Sequence, residues 1–165
     1  MTDSPRGRAR VDPIAQFMQE HEKLLVQLSM LNRATREMAD KGFTAAAFKR
    51  VLEALEYIED EVVVHNKREE EALFPVLERY VEGPTSVMRA EHKSLQKDYL
   101  KVRRAAAAVS RHRADRRRTG LLREISQSMV HSFVNHIYKE NHILFPLVQK
   151  FLTKDALREV ARRMV

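Results

Sequence analysis

The segment His65-Asn66-Lys67-Arg68-Glu69-Glu70-Glu71-Ala72-Leu73-Phe74-Pro75 has a partner 71 residues further on, His136-Ile137-Tyr138-Lys139-Glu140-Asn141-His142-Ile143-Leu144-Phe145-Pro146. Both read His, then Glu four residues later, then Leu-Phe-Pro. The same offset lays Glu20-His21 on Glu91-His92, Leu24 on Leu95 and Thr44 on Asp115. Few other side chains repeat. What recurs is a selected set of four of the seven His, two Glu and an apolar tail, the signature of one structural unit used twice. In each copy the two His stand 44 residues apart, which places them on neighbouring helices.

Outward from the repeat the chain reads at helical period. Ile14, Phe17, His21, Leu24, Leu28 and Leu31 share one face of a segment from Asp12 to Asp40, closed by Lys41-Gly42. Thr44 is placed to cap a second helix bearing Leu55, Ile58, Val62, His65, Glu69, Leu73 and Val76. Gly83-Pro84 breaks the chain, and Thr85 or Ser86 is placed to start a third helix with Met88, His92, Leu95, Tyr99 and Val102 inward. A fourth, from Asp115, presents Leu122, Met129, Phe133, His136, Glu140, Leu144 and Leu147; Thr153 then caps a short helix over 156–164. The predicted fold is all-α: an up-down-up-down four-helix bundle over 12–152, a C-terminal helix within 153–165, and a disordered basic tail at 1–11. Pro75 and Pro146, each without an amide proton, are expected to kink their helices just past the Glu.

Composition narrows the function classes. With 165 residues and 44% hydrophobic content the chain suits one domain with a closed core. The absence of Cys excludes disulfide frameworks, thiol nucleophiles, and Cys-ligated zinc or iron–sulfur clusters. No apolar run reaches the ~20 residues of a membrane span. Arg6, Arg8 and Arg10 are not followed by the apolar stretch of a secretory signal, so a soluble, cytoplasmic protein is expected. Charge is uneven: residues 1–82 carry −4 and residues 83–165 carry +11. An Arg-rich connection over 103–118, where Arg111, Arg113, Arg116, Arg117 and Arg118 face only Asp115, offers an alternative reading as a basic module for nucleic acid or an acidic partner. No aromatic residue interleaves these Arg, so base stacking is not indicated.

The repeated residues carry the more specific chemistry. His and Glu at i and i+4 lie one turn apart on the same side of a helix, with Cβ atoms about 5–6 Å apart. Their stripe is otherwise apolar and therefore faces the core. His21 lies between Phe17 and Leu24, and His92 between Met88 and Leu95. Inward carboxylates and imidazoles are costly to bury without partners. Four His (His21, His65, His92, His136) and two Glu (Glu69, Glu140) are accommodated if they share metal ions. This donor set without sulfur suits two ions bridged by carboxylates, as iron or manganese are held in helical bundles, and zinc fits as well.

These motifs resemble the hemerythrin-like, or HHE cation-binding, family: a His, then His-x3-Glu, then the same set again. Here they are His21, His65 to Glu69, His92, and His136 to Glu140. The Glu-x3-Leu-Phe-Pro tails and Met88-Arg89-Ala90-Glu91-His92 extend the resemblance over about residues 12–152. It implies a non-haem di-iron centre with terminal His and bridging Glu that binds or reacts with O2, NO or peroxide. Oxygen carriers of the family have a second His four residues after the third-helix His, and an Asp five residues after the fourth-helix His. Gln96 and Asn141 stand there instead, so the resemblance points to oxygen, redox or nitrosative-stress sensing, iron sensing, iron-centre repair or iron storage. The missing fifth His leaves one position for Glu22, Glu70, Glu71, His142 or water. Tyr99 is read as a core residue or as a neighbour of the site. His112 and His131 are read as solvated.

Overall fold

A computed structural model describes residues 12–165, and these are all-helical with no strand among them. The predicted tail at 1–11 lies outside the described residues. Helix α1 spans Pro13–Lys41, its first turn capped by the Asp12 carboxylate accepting from the Ile14 amide. Gly42 ends it at φ 95°, a conformation that a side chain would strain. Helix α2, residues 45–77, is capped by the Thr44 hydroxyl accepting from the Ala47 amide at 3.1 Å. Thr44→Ala is therefore expected to cost about 1 kcal/mol, or about 2–4 °C of melting temperature for a chain of this length, read by thermal denaturation.

Helix α2 is not uniform. It is α-helical over Ala45–Tyr57, Val63–Arg68 and Phe74–Leu77 and widens into π turns at Ile58–Val62 and Glu69–Leu73. Helix α3 spans Pro84–Arg111. It starts at Pro84 itself, whose missing amide proton costs nothing in a first turn. The helix thus starts one or two residues earlier than the Thr85 or Ser86 that the sequence suggests; Ser86 donates to the Gly83 carbonyl and Thr85 to Glu78. Helix α4, residues 116–151, is capped by Asp115 and has one π turn, Glu140–Leu144, at the repeat equivalent of Glu69–Leu73. Helix α5, Lys154–Arg163, is capped by Thr153.

The Arg-rich stretch is not a connection. Helix α3 continues to Arg111 and α4 begins at Arg116, so only residues 112–115 link them. Arg116 reaches across to donate to the Ala39 and Asp40 carbonyls at 3.0 and 2.9 Å, placing its charge on the negative end of α1. Arg118 pairs with Asp115, and Arg113 lies over the Phe43 ring. No helix among the described residues is long and apolar enough to cross a membrane.

Buried apolar side chains form two cores. One gathers Leu24, Leu28, Leu55, Ile58, Leu95, Val102, Met129 and Phe133. The other gathers Ile14, Phe17, Leu73, Phe74, Met88, Leu144 and Phe145, covered by Ala156 and Val160 of α5 and by Met164 just beyond it. Along every long helix the chain passes from one core to the other through His or Glu. A polar layer thus crosses the bundle between two apolar ones.

Candidate metal centre

The polar layer is built from His21 on α1, His65 and Glu69 on α2, His92 on α3, and His136 and Glu140 on α4, all buried, with both carboxylates at 0% exposure. The six sequence-derived site residues are thus brought together. Glu69 directs Oε1 at His65 Nε2 (3.5 Å) and Oε2 at His92 Nε2 (3.3 Å). Glu140 directs Oε2 at His21 Nε2 (3.0 Å) and Oε1 at His136 Nε2 (2.9 Å) and His92 Nε2 (3.5 Å). Each carboxylate therefore turns one oxygen to the His21–His65 pair and the other to the His92–His136 pair. His21, His65, Glu69 and Glu140 form one group with donor atoms within 4.8 Å of each other, and His92, His136 and Glu140 form a second.

Without a cation or added protons this donor set is left unsatisfied. All four carboxylate oxygens and His92 Nε2 are buried without a hydrogen-bond partner; the only other such atom among the described residues is the Ser126 hydroxyl. The His21 and His65 Nε2 atoms face each other at 3.0 Å, which demands a proton or a cation between two lone pairs. Orphaned oxygens and converging imidazole nitrogens together fit metal ions of the nitrogen- and oxygen-preferring kind.

Every imidazole is held from behind. His65 Nδ1 donates to Glu20 (2.6 Å) and His136 Nδ1 to Glu91 (2.9 Å), while Arg68 and Lys139 pair with those same carboxylates. His92 Nδ1 donates to Glu70 (2.7 Å) and His21 Nδ1 to Asn141 Oδ1 (2.7 Å). Such partners fix the tautomer with Nε2 free to ligate. Sequence reasoning noted Glu20 and Glu91 as repeated but gave them no role. The signal was available, because Arg68 and Lys139, and likewise Glu70 and Asn141, are also 71 residues apart. Glu70 lies behind His92 rather than among the Nε2 atoms, and Glu22, Glu71 and His142 are exposed.

The π turns explain the Leu-Phe-Pro tails. Phe74 donates its amide to the Glu69 carbonyl and Phe145 to that of Glu140, five residues back, just before a proline that has no amide to give. The sequence predicts a kink past each Glu; the feature observed is a widened turn that starts at the Glu itself. It sets Phe74 parallel to the His92 ring (centroids 6.0 Å, 16°) and Phe145 parallel to that of His21 (5.6 Å, 14°). Phe17 meets the His65 ring edge-on at 5.1 Å. Tyr99 points away from this layer, donating to the Leu55 carbonyl and Glu59, and burial pushes its hydroxyl up to about 12. The two flanks differ. A cleft of about 200 Å³ edged by Ser94, Ser132 and Lys139 opens beside His136, whereas beside His65 only about 20 Å³ remains next to Tyr57, Glu61 and Val62.

Without metal, protons take the place of cations. Burial pushes the His65 imidazole down, but Glu69 and Glu20 outweigh it and raise the group to about 10. Burial likewise opposes, and Glu140 and Glu69 override, a rise to about 10 at His92. A group raised in the folded state contributes stability that is complete below its unfolded value near 6.5 and lost as pH climbs through about 10. The melting temperature of chelator-treated protein is therefore expected to fall between pH 6.5 and 10. Metal-loaded protein, whose histidines no longer carry those protons, should lack that decline. Paired melting curves across the interval check both halves of this expectation.

A search of curated proteins finds no match to the chain. The family model described as Hemerythrin HHE cation binding domain matches residues 12–148, which contain all six polar-layer residues and both π turns that follow His-x3-Glu. On that match, and with a buried His/Glu layer suited to cations, the chain belongs to the hemerythrin HHE cation-binding family.

Proposed function

We propose that this protein holds two iron ions in the polar layer of an up-down-up-down four-helix bundle and uses them to bind or react with O2, NO or peroxide, in oxygen, redox, nitrosative-stress or iron sensing. In this reading His21 and His65 would hold one ion as terminal ligands and His92 and His136 the other, and Glu69 and Glu140 would be shared between the two as bridges. The observation that carries it is the division of each buried carboxylate, one oxygen to each histidine pair. Bound iron would supply reversible one-electron chemistry and open coordination positions for a small ligand.

The chain's own contribution is positional. Glu20, Glu91, Glu70 and Asn141 accept the Nδ1 protons and so aim the Nε2 lone pairs inward. Phe17, Phe74 and Phe145 pack against the rings and exclude water from one side of the layer. The opposite apolar core closes the other.

The deciding experiment is metal analysis of protein purified without chelators, read with its ultraviolet–visible spectrum. About two irons per chain, with near-ultraviolet charge-transfer bands that change on adding O2, NO or peroxide, is the expected result. Iron taken up far beyond two per chain would favour storage. Failure to take up ferrous iron anaerobically would overturn the reading, and zinc or manganese alone would keep the site while removing its redox role.

A further inference from the structure

The internal repeat makes the two halves of the polar layer comparable residue by residue, and it fails at one functional position. His65 and His136 are equivalent and equivalently backed: Glu20 with Arg68 behind the first, Glu91 with Lys139 behind the second. His21 and His92 are equivalent but not equivalently backed. His92 Nδ1 donates to the Glu70 carboxylate and His21 Nδ1 to the Asn141 amide oxygen, both at 2.7 Å. Positions 70 and 141 are themselves repeat partners, so the geometry is conserved between halves while the charge is not. Glu70 forms no ion pair with Lys or Arg in the described residues, so its charge is not offset as those of Glu20 and Glu91 are.

A carboxylate behind an imidazole draws on the Nδ1 proton and makes Nε2 the stronger donor; an amide oxygen does so less. The His92–His136 pair has two such carboxylates and the His21–His65 pair one. From this, and resting on the two-metal reading above, we infer that Glu70 and Asn141 are positioning residues that make the two metal positions unequal: the His92–His136 position fills first and holds its ion more tightly, and the His21–His65 position fills second. The protein is then a two-site centre with a built-in order.

The test uses full-length protein and Co2+, whose visible bands report each filling step. Glu70→Gln and Asn141→Asp keep shape and change only charge. Glu70→Gln is expected to weaken the first step about tenfold and leave the second within twofold. Asn141→Asp is expected to strengthen the second step and leave the first within twofold. The combined variant should again fill in two separated steps, with the preferred position exchanged. With iron loaded, Asn141→Asp should also narrow the gap between the two one-electron potentials, a change that a merely structural role would not produce. Both substitutions acting on the same step, or neither acting on either, would overturn the inference while leaving two bound ions intact. Wild-type protein that takes up no ion would instead overturn the metal reading on which it rests.

Discussion

Replacing Glu69 and Glu140 together by Gln is expected to abolish uptake of both ions. Gln keeps the volume of each side chain but removes the two negative charges, which are the only anionic donors among the converging atoms. A ligand present at about a thousand times its dissociation constant stabilises a folded protein by about 4 kcal/mol, which for this chain length is about 8–16 °C. Wild-type protein should therefore gain melting temperature of that order on anaerobic addition of ferrous iron, and the double variant should gain none. Differential scanning fluorimetry with and without iron, beside metal analysis, reads both. A double variant that still binds two ions would sink the bridging assignment.

Phe145→Ala is expected to be the most damaging single truncation near the layer. The ring is 1% exposed and stacks on His21 (5.6 Å) and on Phe17 (6.0 Å), so its loss opens a cavity between the second apolar core and the polar layer. Phe-to-Ala changes in such positions cost about 3–5 kcal/mol, or about 6–20 °C here. Phe145→Leu, which refills most of the volume, should recover most of the melting temperature. Equal losses for Ala and Leu would mean that stacking on His21, not packing, dominates.

The helices and the six polar-layer residues were legible in the sequence because both express themselves as periodicity. Thr44, Asp115 and Thr153 act as the predicted N-caps, and every residue read as inward is buried except Leu147, which is half-buried. The π turns were not legible. A hydrophobic stripe records which side of a helix faces the core, not how many residues make one turn. Hints lay in the consecutive buried run Ala72-Leu73-Phe74 and in the proline two residues beyond Leu73. The Glu20, Glu91, Glu70 and Asn141 contacts were hidden for another reason: half-buried polar residues look like surface until a partner helix is placed beside them. Misreading the Arg-rich stretch had the same origin, since α1's carbonyls, which hold Arg116, are 76 and 77 residues away in sequence.

The widened turns at Glu69–Leu73 and Glu140–Leu144 bear on which genetic changes this chain can absorb. A π turn carries one residue more than the α-helical ladder around it needs, and one residue is about 100° of rotation. Glu71 and Ile143 sit within these turns on the exposed surface, where substitutions of almost any kind should be neutral. Losing either one is also absorbed. An in-frame deletion of a single codon there lets the turn close to a regular α-helical one and leaves the ladder beyond it in register. The same deletion in a regular stretch of α2 or α4 swings everything beyond it by about 100°, and Phe74 would leave the face of His92, or Phe145 that of His21. A deletion scan of α2 and α4 should therefore show two narrow windows of tolerance, at Glu71 and Ile143, in helices that otherwise tolerate no loss.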